Sequence, residues 1–575
     1  MQSFRGDPQA MITQVARARG LPYRKPVRVV FQLEPDFMRS LEHKAAQDAI
    51  AATASDTSAF MTVFGFLHGS PGGGGGGGEA AGPPPPDEGS QIGSLQREEI
   101  VAFYDDVAHA VHVRQSKIEN PEEAAATLAH EIGHALQHEN FRVPPVAQIK
   151  NEDERLAALA LMEGDAMLIM LAYISDREQV PLHRTVVRAD DNVREGAVER
   201  YLNGGGGPAL KNAPLIVRER LHFPYLSGLS FLGAVHRAGG FPLVNRVYSR
   251  PPITTEQVLH PEKYLAGEVG VGVPVPTPPP GYQVRLAGHM GELQTRLALH
   301  RCNSILEAER AAAGWGGDAF SIVSSPRGGM ALLWNSVWDT EQDAIEFQTA
   351  LGRSSTCWGE PPTFVVREKN RVAVVRGLSV QAAAPMTRAM VTAAVDYKQA
   401  VPPFGPVGIP AIRRMPQVRP DYVSGKSVVS ERLNLVVPIP PGYSVDLSDE
   451  SITMRYEGSL LLVAISERMT TARGAQITAT EFVSALANAG ASVQPAGPHG
   501  TARTALGQAT QHGWQFGNGA RARLLQVPMC SGTGSLMVAQ AWRTPHAQRT
   551  LDWWLGALRP LGASTIPPVC AELNP

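Results

Sequence analysis

The stretch TLAHEIGHALQHENF, residues 127–141, places His130 and His134 four positions apart, with Glu131 directly after the first. Four residues is a little over one helical turn, so the two imidazoles leave the same face of a helix and can share one ion. Zinc suits such a pair, and Glu131 stands where its carboxylate reaches a metal-bound water. The chemistry this arrangement supports is hydrolysis by metal-activated water with Glu131 as general base. It requires a third ligand.

Glu163, in LALMEGDAML, is the candidate for that ligand. Its surroundings are apolar on every side, which predicts a helix buried all round, and a buried carboxylate must be paired or bound to metal. Gly164 beside it costs a helix about 1 kcal/mol relative to Ala, a hint that another backbone approaches closely there. Asp165 should point away from the metal, toward a histidine Nδ1–H or an arginine. His138 lies two turns beyond His130, about 12 Å along the axis, too far to share the ion. Glu152 and Glu154 read as caps of the second helix, with Glu154 a reserve ligand. Tyr225, His260 and Tyr264 could donate to a developing oxyanion, although each is equally well explained as a core residue with its polar atom satisfied.

Several elements must position these groups. Asn120 is a good N-cap, Pro121 suits the first helical position, and Glu122 and Glu123 favour the positive end of the dipole, so a helix should begin there. Before it, EIVAFYDDVAHAVHVR (99–114) alternates polar and apolar residues around Asp105-Asp106 and predicts a β-hairpin. A second helix is expected over about 152–176, and a third should end at Gly239-Gly240. Residues 156–174 are the best candidate for a membrane span, but Glu163 and Asp165 at their centre favour a buried helix and no integral membrane segment.

At 575 residues the chain exceeds one core. Its composition, 43% hydrophobic and 18% charged, is that of a globular protein, and a formal charge of −2 offers no electrostatic reason to bind nucleic acid. Gly- and Pro-rich segments at 70–90, 203–208, 273–282 and 401–420 divide it. The expected domains are 1–272, carrying the metal helix and a flexible 70–90 insertion, then an α+β module at 281–400. A Pro-rich linker at 401–424 leads to a second α+β module at 425–575. Both modules open on a similar phrase, PPPGYQV at 278–284 and IPPGYSV at 439–445, which suggests duplication. Cys302, Cys357, Cys530 and Cys570 form no CxxC pair; the local pairings 302–357 and 530–570 would suit an oxidising compartment, and four buried thiols are the alternative. The first twenty residues contain no apolar leader, implying a cytoplasmic protein or a leader removed before this numbering begins.

HEIGHALQHENF, ALMEGDA, FPYLSGLSFL, RPPITTEQVLHPEKYLAGE and GWGGDAFSI with ALLWNSVWDTEQDAIEF follow one another in this order. Together they resemble a group of bacterial and haloarchaeal HExxH proteins of the gluzincin type, predicted zinc metallopeptidases that are often exported or surface-associated. The resemblance runs from about residue 15 to 355 and leaves 400–575 uncovered. It implies a mainly helical zincin domain with zinc on His130, His134 and Glu163, Glu131 as general base, and the phrase around His260 near the cleft. A gluzincin ExxxD pattern would place an acidic residue at 167, where Met167 stands, so the supporting carboxylate must come from Asp165 or elsewhere.

The expectation is therefore a multi-domain α+β protein acting as an exported zinc endopeptidase on protein or peptide substrates, the hairpin offering a strand edge for substrate. Its rival is a zinc-stabilised surface or assembly protein, with partners bound through the C-terminal modules.

Overall fold

The structure is a computed structural model. It describes residues 7–560 apart from 49–59, 61–62, 65–99, 119, 145, 190–212, 301, 327–328, 359–360, 399, 404–420, 431–432, 434, 449–450, 467, 469–470, 488–491, 498, 505 and 529–533. The 70–90 insertion, the 203–208 break, Cys530, Cys570 and most of the 401–420 linker lie outside the described residues. The chain is multi-domain α+β and divides into two compact units, Met1–Tyr173 with Val187–Ile409, and Ile174–Val186 with Pro410–Pro575.

The first unit opens with α1 (Pro8–Arg19), β1 (Arg28–Gln32) and α2 (Glu34–Asp48), followed by the hairpin β2 (Ala102–Asp105) and β3 (Ala110–Arg114). The hairpin forms where the alternation predicts it, with Tyr104 opposite Val111 and Asp105 opposite Ala110. β1 adds in parallel to the far side of β3, giving the order β1-β3-β2 and leaving β2 at an edge.

Helix α3 (Pro121–Asn140) begins as the sequence predicts: the Asn120 side chain accepts from the backbone N–H groups of Glu122 and Glu123. One face buries Ala124, Leu128, Ile132, Ala135 and Leu136. Helix α4 (Glu152–Glu178) packs against it, and α5 (Leu215–Val247) packs on α4. The α4–α5 crossing is very close, since a Cβ on Gly164 would fall 2.4 Å from the Gly228 carbonyl carbon. Only two glycines allow this approach, which is why Gly164 stands mid-helix despite its cost. The third helix departs from helical geometry at Gly239 and Gly240, close to its expected end, and resumes to Val247.

Two short helices, α6 (Thr255–Leu259) and α7 (Pro261–Ala266), lead into an antiparallel sheet. It contains β4 (Gln283–Gly288), β5 (Trp315–Ser324), β6 (Met330–Trp338), β7 (Thr363–Glu368) and β8 (Arg371–Arg376), in the order β4-β5-β6-β8-β7. Helices α8 (Gly291–His300) and α9 (Ile305–Ala312) lie between β4 and β5, α10 (Glu341–Cys357) follows β6, and α11 (Val380–Thr392) follows β8. Phe64 packs edge-on against Phe320 and Trp334 of this sheet, at 5.5 and 5.6 Å between centroids. The helical part and the sheet therefore share a core, and the 273–282 segment runs within one unit.

The second unit contains β9 (Tyr422–Ser424), β10 (Ser427–Ser430) and β11 (Leu435–Pro438) in one sheet, and a larger sheet with β12 (Ser444–Leu447), β13 (Ser451–Tyr456), β14 (Ser459–Ser466), β15 (Val493–Pro495), β16 (Gly500–Thr504), β17 (Gly507–Phe516), β18 (Arg521–Pro528) and β19 (Ser535–Trp542). Its helices are α12 (Ala472–Ala487) and α13 (Pro545–Ala557). Part of the path repeats that of the first sheet, namely a hairpin, a helix, a returning antiparallel pair whose last strand docks beside the hairpin, then a helix. Among the described residues, the second unit adds β15, β16 and β17 before the returning pair and has no counterpart of α8 and α9. β12-β13-β14-β19-β18 corresponds to β4-β5-β6-β8-β7. Each path opens on the same turn. Tyr282 N–H donates to the Pro279 carbonyl at 3.0 Å and Tyr443 N–H to Pro440 at 3.2 Å, with Gly281 and Gly442 at φ 83° and 85°. Pro at the second turn position and Gly at the left-handed third are what a type II turn selects. The resemblance of the two phrases is thus matched by topology.

Candidate metal centre

His130, Glu131 and His134 come from the middle of α3 and Glu163 from α4. His130 Nε2 lies 3.1 Å from Glu163 Oε2, and His134 Nε2 lies 3.4 Å from the same oxygen. The three side chains are only 12, 13 and 17% exposed. Zinc held tetrahedrally at about 2.0–2.1 Å from each donor would set the donors roughly 3.3 Å apart, so this donor set fits the ion in both chemistry and spacing.

Electrostatics concentrate charge at the same point. Burial would raise the Glu163 pKa, but the charges and hydrogen bonds of His134 and His130 outweigh it and hold the carboxyl well below its usual range. Burial would lower the His134 pKa, but the Glu163 carboxylate, with Glu131 and Gln137 adding to it, brings it up to about 9. Glu131 is 8% exposed; burial raises its pKa against the pull of the two histidines, and the Tyr104 backbone N–H on β2 lies against its carboxylate.

Tyr225, the sequence candidate on α5, joins this group. Its ring stacks on His130 at 5.9 Å and 25°, its hydroxyl hydrogen-bonds Glu163, and the nearby Glu163 charge, together with burial, pushes its pKa well above the usual value. The Gly164–Gly228 contact explains the placement: Glu163 and Tyr225 sit one residue and three residues before the touching glycines.

His260 does not join the group. Its Nε2 lies 2.9 Å from Glu292 Oε1 and its Nδ1 3.5 Å from Glu262. The phrase TEQVLHPEKY acts as a clamp between the helical part and the sheet module. Thr255 donates through its backbone N–H and hydroxyl to Asp153 at the start of α4, and its hydroxyl accepts from the Leu293 backbone N–H. Lys263 Nζ sits among Glu256, Glu268 and Asp339, so that carboxylate cluster already holds a cation. The structure thus places His260, expected near the cleft, apart from the His130–His134–Glu163 group and beside Glu292. Tyr264 is likewise a core residue, its hydroxyl donating to the Arg250 carbonyl at 2.6 Å. Glu152 pairs with Arg155 and Arg220, and Glu154 is not part of the metal group. His138 packs against the Tyr104 ring at 5.6 Å.

Asp165 takes the arginine of the two partners expected for it. It is fully buried, with Arg19 Nε at 3.1 Å and the Tyr248 hydroxyl at 2.8 Å. The partner of His134 Nδ1 is a residue the sequence reading passed over: Gln137, whose Oε1 lies 3.0 Å away. Its signal was present, since it follows His134 by three positions and shares its helix face.

Residues 283–394 match the family model of DUF8575, a domain of unknown function. That span runs from β4 to just past α11, so it coincides with the sheet module that the clamp binds. No curated protein and no solved structure matches the chain.

Proposed function

We propose that the protein is a zinc-dependent endopeptidase of the gluzincin type. The observation that carries this reading is the convergence of His130, His134 and Glu163 on one point with Glu131 beside them. Zinc bound there would polarise a peptide carbonyl and lower the pKa of water toward neutrality. Glu131, a buried carboxylate with a raised pKa, accepts the proton of the attacking water and delivers it to the leaving amine. Tyr225 is placed to donate toward the carbonyl oxygen as charge develops. The edge strand β2, whose Tyr104 N–H faces Glu131, offers an extended peptide a line of backbone partners. The Cys302–Cys357 disulfide is consistent with export.

The low exposure of the ligands also supports a second reading, a zinc-stabilised binding or assembly protein with a closed cleft. Glu131 separates the two, because a purely structural site has no use for a buried carboxylate beside the ion. The deciding experiment measures zinc content and cleavage of a broad unfolded-protein substrate for wild type, Glu131→Gln and Glu163→Ala. Catalysis requires one zinc in wild type and in Glu131→Gln, cleavage by wild type alone, and loss of metal from Glu163→Ala. Zinc without cleavage by wild type selects the binding protein. Three stable, metal-free proteins would reject both readings.

A further inference from the structure

Gln137 is wholly buried on α3, one turn after His134. One end of its amide faces two acceptors, the Met162 carbonyl at 2.8 Å and Asp165 Oδ2 at 3.5 Å. Only the NH2 group can satisfy acceptors, so the amide orientation is forced and its oxygen must face His134. That oxygen accepts from Nδ1 at 3.0 Å, so Nδ1 carries a proton and Nε2 is the nitrogen that faces Glu163 and would offer its lone pair to an ion bound there. The buried carboxylate of Asp165 is engaged by Arg19 and Tyr248 and meets Gln137 at the amide nitrogen, on the side away from His134 Nδ1.

We propose that Gln137 is the positioning residue of the metal centre, setting the tautomer and ring orientation of His134 through a neutral amide where a carboxylate would otherwise stand. The proposal rests on the zinc reading above. Because an amide oxygen donates less electron density through the ring than a carboxylate, His134 remains a weaker donor and leaves the ion more electrophilic. The chain Arg19–Asp165–Gln137–His134 thereby ties the last residue of α1 to a metal ligand.

The test is zinc affinity by chelator competition on the full chain, with unfolding of the metal-free proteins measured in parallel. Gln137→Met keeps the volume and removes the acceptor; it is expected to weaken zinc about 10- to 100-fold. Gln137→Glu keeps an oxygen acceptor toward His134 but removes the NH2 that meets Met162 and Asp165, so it is expected to lower the stability of the metal-free protein while binding zinc more tightly than Gln137→Met. Wild-type affinity in Gln137→Met overturns the proposal, as does an equal loss in both variants. Should Gln137→Met fail to fold, zinc-loaded wild type labelled with 15N-histidine decides the matter. A slowly exchanging His134 Nδ1–H supports the hydrogen bond, and exchange as fast as in free imidazole overturns it. Wild type that binds no zinc rejects the metal centre itself, an outcome distinct from both.

Discussion

Gly164 and Gly228 meet backbone to backbone: a Cβ on Gly164 would stand 2.4 Å from the Gly228 carbonyl carbon and oxygen, and one on Gly228 would stand 2.3 Å from the Ala160 carbonyl oxygen. No rotamer relieves such a clash, because the obstructing atoms are main chain. The same contact sets Glu163 of α4 against Tyr225 of α5, so packing and site geometry share one cause.

Gly164→Ala should therefore force α4 and α5 apart, destabilising the protein by about 1–3 kcal/mol or more and loosening zinc. Gly352→Ala is the control, since nothing lies within 4 Å of its added methyl in the helix α10. That change should be neutral or stabilise by up to about 1 kcal/mol. Urea unfolding of both variants checks the prediction; equal stabilities would refute the close-approach argument.

The clamp around His260 should weaken as pH rises. Burial tends to lower the His260 pKa, but Glu262 and Glu292 more than offset it and bring it to about 10, with Lys263 opposing. A histidine with a folded pKa above its unfolded value of about 6.5 stabilises fully below that value, and the contribution disappears as pH climbs to 10. Asp153 acts in the same direction, because burial raises its pKa to about 7 despite two hydrogen bonds from Thr255. His260→Gln should thus cost on the order of 1–3 kcal/mol at pH 6, a figure reduced from the full shift because the ring is 23% exposed. The cost should shrink toward pH 10. A pH-independent difference in urea unfolding between wild type and variant would show that the ion pair contributes nothing.

The disulfide Cys302–Cys357 joins the segment after α8 to the end of α10 across 55 residues. Closing a loop of that length stabilises by about 4 kcal/mol on the chain-entropy model. Reduction, or the double substitution Cys302→Ser with Cys357→Ser, should lower the melting temperature of the sheet module by several degrees. Differential scanning calorimetry with and without reductant measures this; coincident transitions would mean that the bridge is not formed.

Much of the candidate metal centre was legible in the chain because its determinants are local. His130, Glu131 and His134 are set by helical spacing and by the Asn120 cap, and Glu163 is conspicuous as a carboxylate inside an apolar helix. The hairpin at β2–β3 and the repeated Pro-Pro-Gly-Tyr turn are short-range patterns of the same kind. The surroundings of His260 were not legible, because its phrase is dense in polar residues and density alone does not distinguish a site from an interface between modules.

Local pattern in the chain thus specifies the helix that carries His130 and His134, the buried carboxylate Glu163 on the next helix, and the turns that open each module. The groups that stand behind them follow from long-range packing. Arg19 and Asp165 are 146 positions apart, Gln137 is directed by a carbonyl on another helix, and Tyr225 reaches His130 through a contact between two glycines. Spacing along one element fixes which side chains share a face, whereas the partner across an interface depends on how closely two backbones approach, and that distance is set by packing.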